Sequence, residues 1–304
     1  MSFFSIILPT YNRAHLISKG IKSVLDQSFT DWELIVVDDG STDNTKDVVT
    51  SFNEPRIKYI CQANAERSVA RNNGIRNAEG EWICFLDSDD YFLVNHLETF
   101  HSFIKDTNPG PSFLVTGGYD EKEGAFVEKP LYDSDSGHHP AKFILDQTTI
   151  TPISVCIHKT CLYKHKFIEK YKKSYWEDTH LWIRLAIDFP FYQLSNFTNV
   201  LAEHKGRSVN SKITMERVND HISMIMHLFE NYQNLLANSL TTTDYKKYID
   251  RKYRMFLYQA RQNKQIMVAM NIWSKAIFYR PSTYLISEFP KICLNKLNIG
   301  IHDR

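Results

Sequence analysis

The sequence predicts an α/β fold, a mostly parallel sheet flanked by helices, with a helical extension at the C-terminal end. Three observations predict it. Short apolar runs alternate with helical periodicities from Phe3 to Leu86, joined by short connections, the signature of a parallel sheet covered by helices. Two of those runs end abruptly in carboxylates, at Asp38-Asp39 and at Asp87-Ser88-Asp89-Asp90. After His204 the strand signals stop and long stretches rich in Met, Leu, Lys, Tyr and Asn take over.

Composition narrows the function classes. The chain has 304 residues, 43% hydrophobic and 23% charged, with a formal net charge of +1. That suits one large core plus an extension, and the small net charge argues against nucleic acid as a partner. Cys61, Cys84, Cys156, Cys161 and Cys293 are odd in number and form no C-x-x-C. Reduced thiols fit better than a disulfide framework or a zinc site, so a cytoplasmic protein is expected. The apolar run Phe3–Leu8 is too short for a signal peptide and lacks a basic lead, and no run is long enough to span a membrane.

The elements follow in order. Phe3–Leu8 reads as a first strand closed by Pro9. Leu16, Ile17, Ile21, Val24 and Leu25 recur at helical spacing within a helix over Ala14–Gln27. Leu34–Val37 is a buried strand, and Asp43 or Ser41 caps the helix that runs through Val48 and Val49. Ile57–Ile60 is a third strand, Ser68–Asn77 a short helix, and Glu81–Leu86 a fourth strand. Phe113–Thr116, Ala125–Val127 and Ser154–Ile157 read as further strands, and the polar segment 133–140 as a mobile loop. A helix starts near Glu177, with Leu181, Trp182 and Leu185 on its apolar face. The tail reads as helices over Lys212–Leu236, Thr243–Gln262 and Lys264–Tyr279, punctuated by Pro281 and Pro290.

Right-handed crossovers place the ends of parallel strands on one edge of the sheet, where open α/β folds bind ligands. Asp38/Asp39 and Asp87/Asp89 therefore converge on one crevice. In an extended segment Asp87 and Asp89 project to one side, and a divalent cation bridging to phosphate is the usual reason for such a pair. A bare D-x-D serves equally as a polar turn. Glu177 and Asp178 lie in the first turn of their helix, where the helix dipole favours the ionised form. In the tail, Lys246, Lys247, Arg251, Lys252, Arg254, Arg261 and Lys264 interleave with Tyr248, Tyr253, Phe256 and Tyr258. This reads as a solvated face over an aromatic core, with a membrane-surface or partner-binding face as the alternative.

Five segments in order resemble the family 2 glycosyltransferases of GT-A fold: Ser5–Arg13, Glu33–Asp43, Ser68–Ile75, Gly80–Asp90, and Trp176-Glu177-Asp178 leading into Leu181 and Arg184. The likeness covers roughly the first two thirds of the chain. It implies a Rossmann-like nucleotide-diphospho-sugar transferase domain over residues 1–210, donor-binding over about 1–110 and acceptor-binding over about 111–210, with a helical region over 211–304. It further implies that Pro9, Thr10 and Tyr11 line a nucleoside pocket, and that Asp39 accepts a hydrogen bond from the uracil imide. A carboxylate accepts from an imide N–H, which favours uracil over adenine. Arg71 then lies near uracil and phosphates. Ser88 belongs to the nucleotide set, while Asp87 and Asp89, with His204, hold a divalent cation, Mn or Mg, on the diphosphate. Asp178 is the implied general base, with Glu177 second. The resemblance implies an inverting hexosyl- or N-acetylhexosaminyltransferase using a UDP-sugar donor. Its acceptor is a glycan or lipid-linked glycan of a cell-surface polysaccharide. Peripheral contact of the tail with the inner face of the plasma membrane, and a homo-oligomer, are compatible with it. One residue departs from the family pattern: Glu66, followed by Arg67, replaces the usual Gly.

Other readings fit less well. A dehydrogenase needs G-x-G-x-x-G where Pro9-Thr10-Tyr11-Asn12 stands. A haloacid-dehalogenase-type phosphatase places its D-x-D early and follows it with Thr, where Tyr91 stands here. A sugar-nucleotide nucleotidyltransferase needs a Gly-rich first loop. An inactive nucleotide-sugar-binding subunit does not require the four acids Asp87, Asp89, Glu177 and Asp178. His138 and His139 read as loop residues, and His158 and His180 carry no assignment.

Overall fold

The computed structural model describes residues 2–129, 144, 150–172, 174–204, 212–236 and 242–279. The expected loop over 133–140 with His138 and His139, and Pro281, Pro290 and Cys293, lie outside the described residues. The chain divides into two compact units, Met1–Lys172 with Glu177–His204, and Lys173–Trp176 with Lys205–Arg304.

In the first unit, β1 (Phe4–Thr10), β2 (Trp32–Asp38), β3 (Ile57–Cys61) and β4 (Trp82–Phe85) form a parallel group in the order β3-β2-β1-β4. The register sets Thr10 beside Asp38 at the carboxyl ends. β1 has neighbours on both edges, and Phe4, Ile6, Ile7 and Leu8 are fully buried, which is why it reads as an unbroken apolar run. Alternate residues serve opposite faces. Ile6, Leu8, Leu34, Val36 and Cys84 pack with Ile17, Ile21 and Val24 of α1 (Ile17–Leu25) and Val49 of α2 (Thr45–Thr50). Ile35 and Val37 pack with Ala70 of α3 (Arg67–Asn77). Gly74 of α3 sits so close to β1 that a Cβ there would lie 2.4 Å from Ile7 Cγ2. The cap position of α2 falls on Asn44, whose side chain makes no capping bond, rather than on Asp43 or Ser41; Asp43, one residue earlier, accepts from the Thr45 backbone N–H on Oδ1 at 3.0 Å. Ser41 instead ties the loops, accepting from the Asn12 N–H at 2.8 Å.

Beyond β4 the sheet becomes mixed. β8 (Val155–His158) runs antiparallel to β4 and to β6 (Phe113–Lys122), with β7 (Ala125–Glu128) hairpinned onto β6. β9 (Phe191–Leu201) runs parallel to β6, and the two-residue β5 (Tyr91–Phe92) pairs with β9. β5, β9 and helix α4 (His96–Thr107) are additions to the expected elements. β9 carries Gln193, Ser195, Asn196, Thr198 and Asn199, so apolar alternation is faint. Two of its buried polar groups pair with β6 instead: Asn199 Nδ2 donates to the Gly117 carbonyl at 2.8 Å, and Thr198 Oγ1 to Thr116 Oγ1 at 2.9 Å, while Asn199 Oδ1 has no partner among the described residues. Helices α5 (Lys159–Lys164) and α6 (Glu177–Asp188) also belong to this unit.

The second unit contains α7 (Met215–Leu236), α8 (Thr242–Gln262) and α9 (Ile266–Tyr279). Val218, Ile225 and Leu228 from α7, Ile249, Phe256 and Leu257 from α8, and Ala269 and Ile272 from α9 are buried. Trp176 lies against Tyr248 and His221, with ring centroids 5.7 and 5.8 Å apart. The aromatic residues expected to form a core under the basic face do so in part, with Tyr248, Tyr253 and Phe256 buried and Tyr258 exposed. Among the described residues no helix is long and apolar enough to cross a membrane, and Cys61, Cys84, Cys156 and Cys161 are free thiols.

Candidate active site

At the end of β2 the two aspartates divide their work. Asp38 is held by the protein itself: the Tyr59 hydroxyl donates to it at 2.6 Å and the Ser41 backbone N–H at 2.8 Å. Asp39 is held by three donors, Gln62 Nε2 at 2.7 Å and the N–H groups of Ala65 and Glu66 at 2.9 Å each. Only the Glu66 bond falls on Oδ2. A carboxylate has about four acceptor positions, so Asp39 keeps capacity for another donor. Beside it, Thr10 is buried and its Oγ1 has no partner among the described residues, Pro9 is half-buried, and Tyr11 is 47% exposed.

Glu66 supplies one of those N–H groups at a conformational cost. Its backbone lies at φ 78°, ψ 164°, a region open essentially to glycine alone. This bend places the N–H groups of residues 65 and 66 on one carboxylate and leaves Glu66 strained. Glu66→Gly is expected to stabilise the protein by about 1 kcal/mol, the low end of the cost of such a conformation, as read by chemical denaturation. An unchanged or lower stability would contradict the strain.

The second acidic cluster follows β4. The segment is not extended: Asp90 N–H bonds back to the Asp87 carbonyl at 3.0 Å, closing a turn. The expected strand alternation of Asp87 and Asp89 therefore does not hold, because the strand ends at Phe85. The two carboxylates have different partners. Asp87 Oδ1 receives Arg71 Nη2 at 2.8 Å, and Asp89 Oδ2 lies 2.8 Å from His204 Nε2. Ser88 between them is buried. Asp90, which carried no assigned role, pins the turn by accepting from the Ala202 N–H at 2.9 Å.

Arg71 is 2% exposed, and its other arm, Nη1, donates to Glu177 Oε1 at 3.0 Å. It thus bridges the acidic turn after β4 to the first turn of α6, rather than standing open to a nucleobase. Burial opposes its charge, but the carboxylates of Asp87 and Glu177 outweigh burial and hold the guanidinium protonated. Arg67 approaches the same Glu177 oxygen at 3.9 Å, while the buried Oε2 of Glu177 has no partner among the described residues.

Asp178 departs from the helix-dipole expectation. Burial, and then the adjacent Glu177 carboxylate, push its carboxyl up to about 7, against the lowering effects of the Thr179 N–H and Arg71. The dipole effect is worth about 0.3–1 kcal/mol at an exposed terminus, so desolvation wins. Asp178 is only partly open to solvent, and its Oδ1 accepts from Thr179 N–H at 2.6 Å.

Asp89 and His204 form a two-residue seat of carboxylate and imidazole. Among the described residues no group of three or more His, Cys, Asp or Glu side chains is arranged around one cation position. The seat still fits Mn or Mg held jointly with a diphosphate, since such cations take one or two protein ligands, waters and substrate phosphates. A cavity of about 340 Å³ adjoins it, lined by His15, Lys19, Glu121, Glu203 and His204.

Sequence reasoning therefore named the acids but missed their supports. Gln62 is an unremarkable polar residue after β3, and nothing in its local pattern signals a bond to Asp39. The Arg71–Glu177 pairing joins residues 106 apart.

Comparison with known proteins bears on the family and the fold. The family model for glycosyl transferase family 2 matches residues 5–172. The chain is 35% identical over 195 residues to the Escherichia coli UDP-Glc:alpha-D-GlcNAc-diphosphoundecaprenol beta-1,3-glucosyltransferase WfgD, covering 60% of this chain and 70% of that protein. It is 30% identical over 275 residues to a Campylobacter jejuni GalNAc(5)-diNAcBac-PP-undecaprenol beta-1,3-glucosyltransferase, covering 87% of this chain and 84% of that one. Among solved structures, S. aureus TarS 1-349 in complex with UDP-GlcNAc superposes with a TM-score of 0.67 at 20% identity, covering 98% of this chain and 88% of that one. The last likeness shows the GT-A fold alone. With the family model over more than half of its length, and a relative matched along most of both chains, the protein belongs to glycosyl transferase family 2 and is a glycosyltransferase.

Proposed function

We propose that the protein transfers a hexose, with glucose the first candidate, from a UDP-sugar to a sugar hydroxyl on a polyprenyl-diphosphate-linked acceptor, by one inverting displacement. The observation that carries this reading is the Arg71 bridge, which brings the acidic turn of the donor half (about 1–110) against the Glu177-Asp178 turn of the acceptor half (about 111–210). Two relatives whose names specify β-1,3-glucosyl transfer in undecaprenol-linked synthesis support the donor and acceptor classes.

The residues divide the work. Asp39, fixed by three donors, takes the uracil imide N–H, beside Thr10 and Tyr11. Asp89 and His204 would hold a divalent cation, which would supply positive charge to stabilise the leaving diphosphate. Asp178 takes the proton of the attacking hydroxyl as its oxygen bonds the anomeric carbon. The bond from that carbon to the phosphate oxygen breaks and UDP leaves with the electron pair. A base poised near neutral pH suits this transfer. Arg71 and Glu177 position Asp178 and Asp87. The cavity beside His204 draws lining from both halves and is large enough for part of a sugar ligand.

The test is UDP release from a panel of UDP-sugars offered with polyprenyl-diphosphate-linked acceptors. One UDP-sugar should dominate and chelation should abolish turnover. Preference for a GDP-sugar, or turnover indifferent to chelation, would overturn this reading. Absence of both hydrolysis and transfer in a protein that binds UDP would favour the inactive subunit.

A further inference from the structure

We propose that the outer face of α8 docks the enzyme onto an anionic lipid surface. The inference rests on the lipid-linked acceptor proposed above and names where the chain meets the lipid.

The charge of the chain is sharply divided. Residues 205–304 hold 16 Lys and Arg against 7 Asp and Glu, a formal charge of +9, while residues 1–204 hold 20 against 28, a charge of −8. The overall value of +1 hides this split, and such asymmetry points to an anionic partner for the basic part.

The exposed side of α8 has a pattern to match. Lys247, Arg251, Met255, Tyr258 and Gln262 are exposed and recur at helical spacing along one stripe. The opposite side, with Ile249, Phe256, Leu257 and Ala260, is spent on the core. The stripe opens with cations, Lys246 lying beside Lys247, and continues with Met255 at 36% and Tyr258 at 56% exposure. The Arg251 guanidinium lies over the Tyr248 ring at 5.0 Å. On the next helix, α9, Met267 is 70% exposed and Met270 37%.

Cations alone would suit any polyanion. Large apolar side chains among them gain only where an apolar phase lies behind the charge, as at a bilayer's headgroup boundary, where Lys and Arg stems snorkel and a Tyr ring has both surroundings. The docking proposed here uses one face of α8, and no described helix is long and apolar enough to cross a membrane. Juxtamembrane Lys and Arg each contribute substantially to binding an anionic surface, an attraction that salt screens.

Flotation of the full chain with acceptor-free vesicles tests this. The protein should bind phosphatidylglycerol-containing vesicles at low ionic strength, ignore pure phosphatidylcholine, and be released by about 0.5 M salt. Lys247→Glu with Arg251→Glu should lower the partition coefficient at least tenfold, and Met255→Ser with Tyr258→Ser severalfold. UDP binding should be unchanged in both variants, which separates this face from the donor site. Four results would overturn the docking: no vesicle binding by protein that binds UDP, wild-type partition in the charge-reversed variant, release by free glycerol phosphate, or a preference for duplex DNA. Concentration-dependent dimers lost with Met255→Ser would instead assign the face to a second copy. Vesicle binding by protein that binds no UDP would leave the surface standing and remove the donor reading.

Discussion

Asp178→Asn is expected to lower transfer by about 10²–10⁴-fold, the usual worth of a general base, while stabilising the fold at alkaline pH. Burial and Glu177 lift the Asp178 carboxyl from 3.8 to about 7. Below pH 4 the folded and unfolded states both hold the proton, so the residue contributes no pH dependence there. Between pH 4 and 7 the unfolded chain has released a proton that the folded one retains, so stability falls as pH rises. Above pH 7 the buried anion is fully present and its penalty complete. Asparagine has no charge to bury and escapes that penalty. The gain at pH 8 is expected on the order of 1–2 kcal/mol, discounted from the full shift because Asp178 is partly open to water. In the wild type, kcat/KM should rise with pH along a limb centred near 7. Thermal melts at pH 4 and pH 8, with a pH–rate profile, check both parts. A variant that is active, or no more stable at pH 8 than at pH 4 relative to wild type, would remove Asp178 from the role of base.

Arg71→Leu should have the largest effect on stability, a loss of about 3–5 kcal/mol, as expected when one member of a buried ion network is removed. The change leaves Asp87 and Glu177 facing each other's surroundings without their shared cation. Glu177→Gln in the same chain should recover part of the loss, because it removes one of the stranded charges. Arg71→Lys keeps the charge but cannot reproduce the two-armed bridge, with its contacts of 2.8 and 3.0 Å. A purely structural Arg71 would leave the pH profile of the remaining activity in place. Because the guanidinium lowers the Asp178 carboxyl, Arg71→Lys should instead move the limb upward if its charge sits farther away. An unshifted limb would mean that Arg71 supports the fold without tuning the base.

What sequence could and could not reveal follows from the range of each interaction. β1, β2 and β4 were legible because their apolar runs are buried on both faces, and the helices of the tail because their spacing repeats over several turns. α4 was within reach: Leu97, Phe100 and Ile104 recur at helical spacing. β9 was not, because its buried Thr198 hydroxyl and Asn199 amide N–H pair with β6, some 80 residues away in sequence. The acids of the site stood out in short motifs, while their setting did not. The turn that separates Asp87 from Asp89, the bridge through Arg71, and the burial that lifts Asp178 against the helix dipole are all tertiary. Glu66 was visible as a departure, but the strain it bears appears only in its backbone angles.

The most direct test of the central claim is a calorimetric titration of UDP, GDP and ADP with and without Mn or Mg, on the wild type and on Asp89→Ala. A UDP site read by Asp39 and completed by a cation on Asp89 and His204 predicts metal-dependent binding of UDP well above that of GDP and ADP. That metal dependence should be lost in Asp89→Ala. UDP binding that is indifferent to metal and unchanged in Asp89→Ala, or no nucleotide binding by the folded protein with metal present, would contradict it.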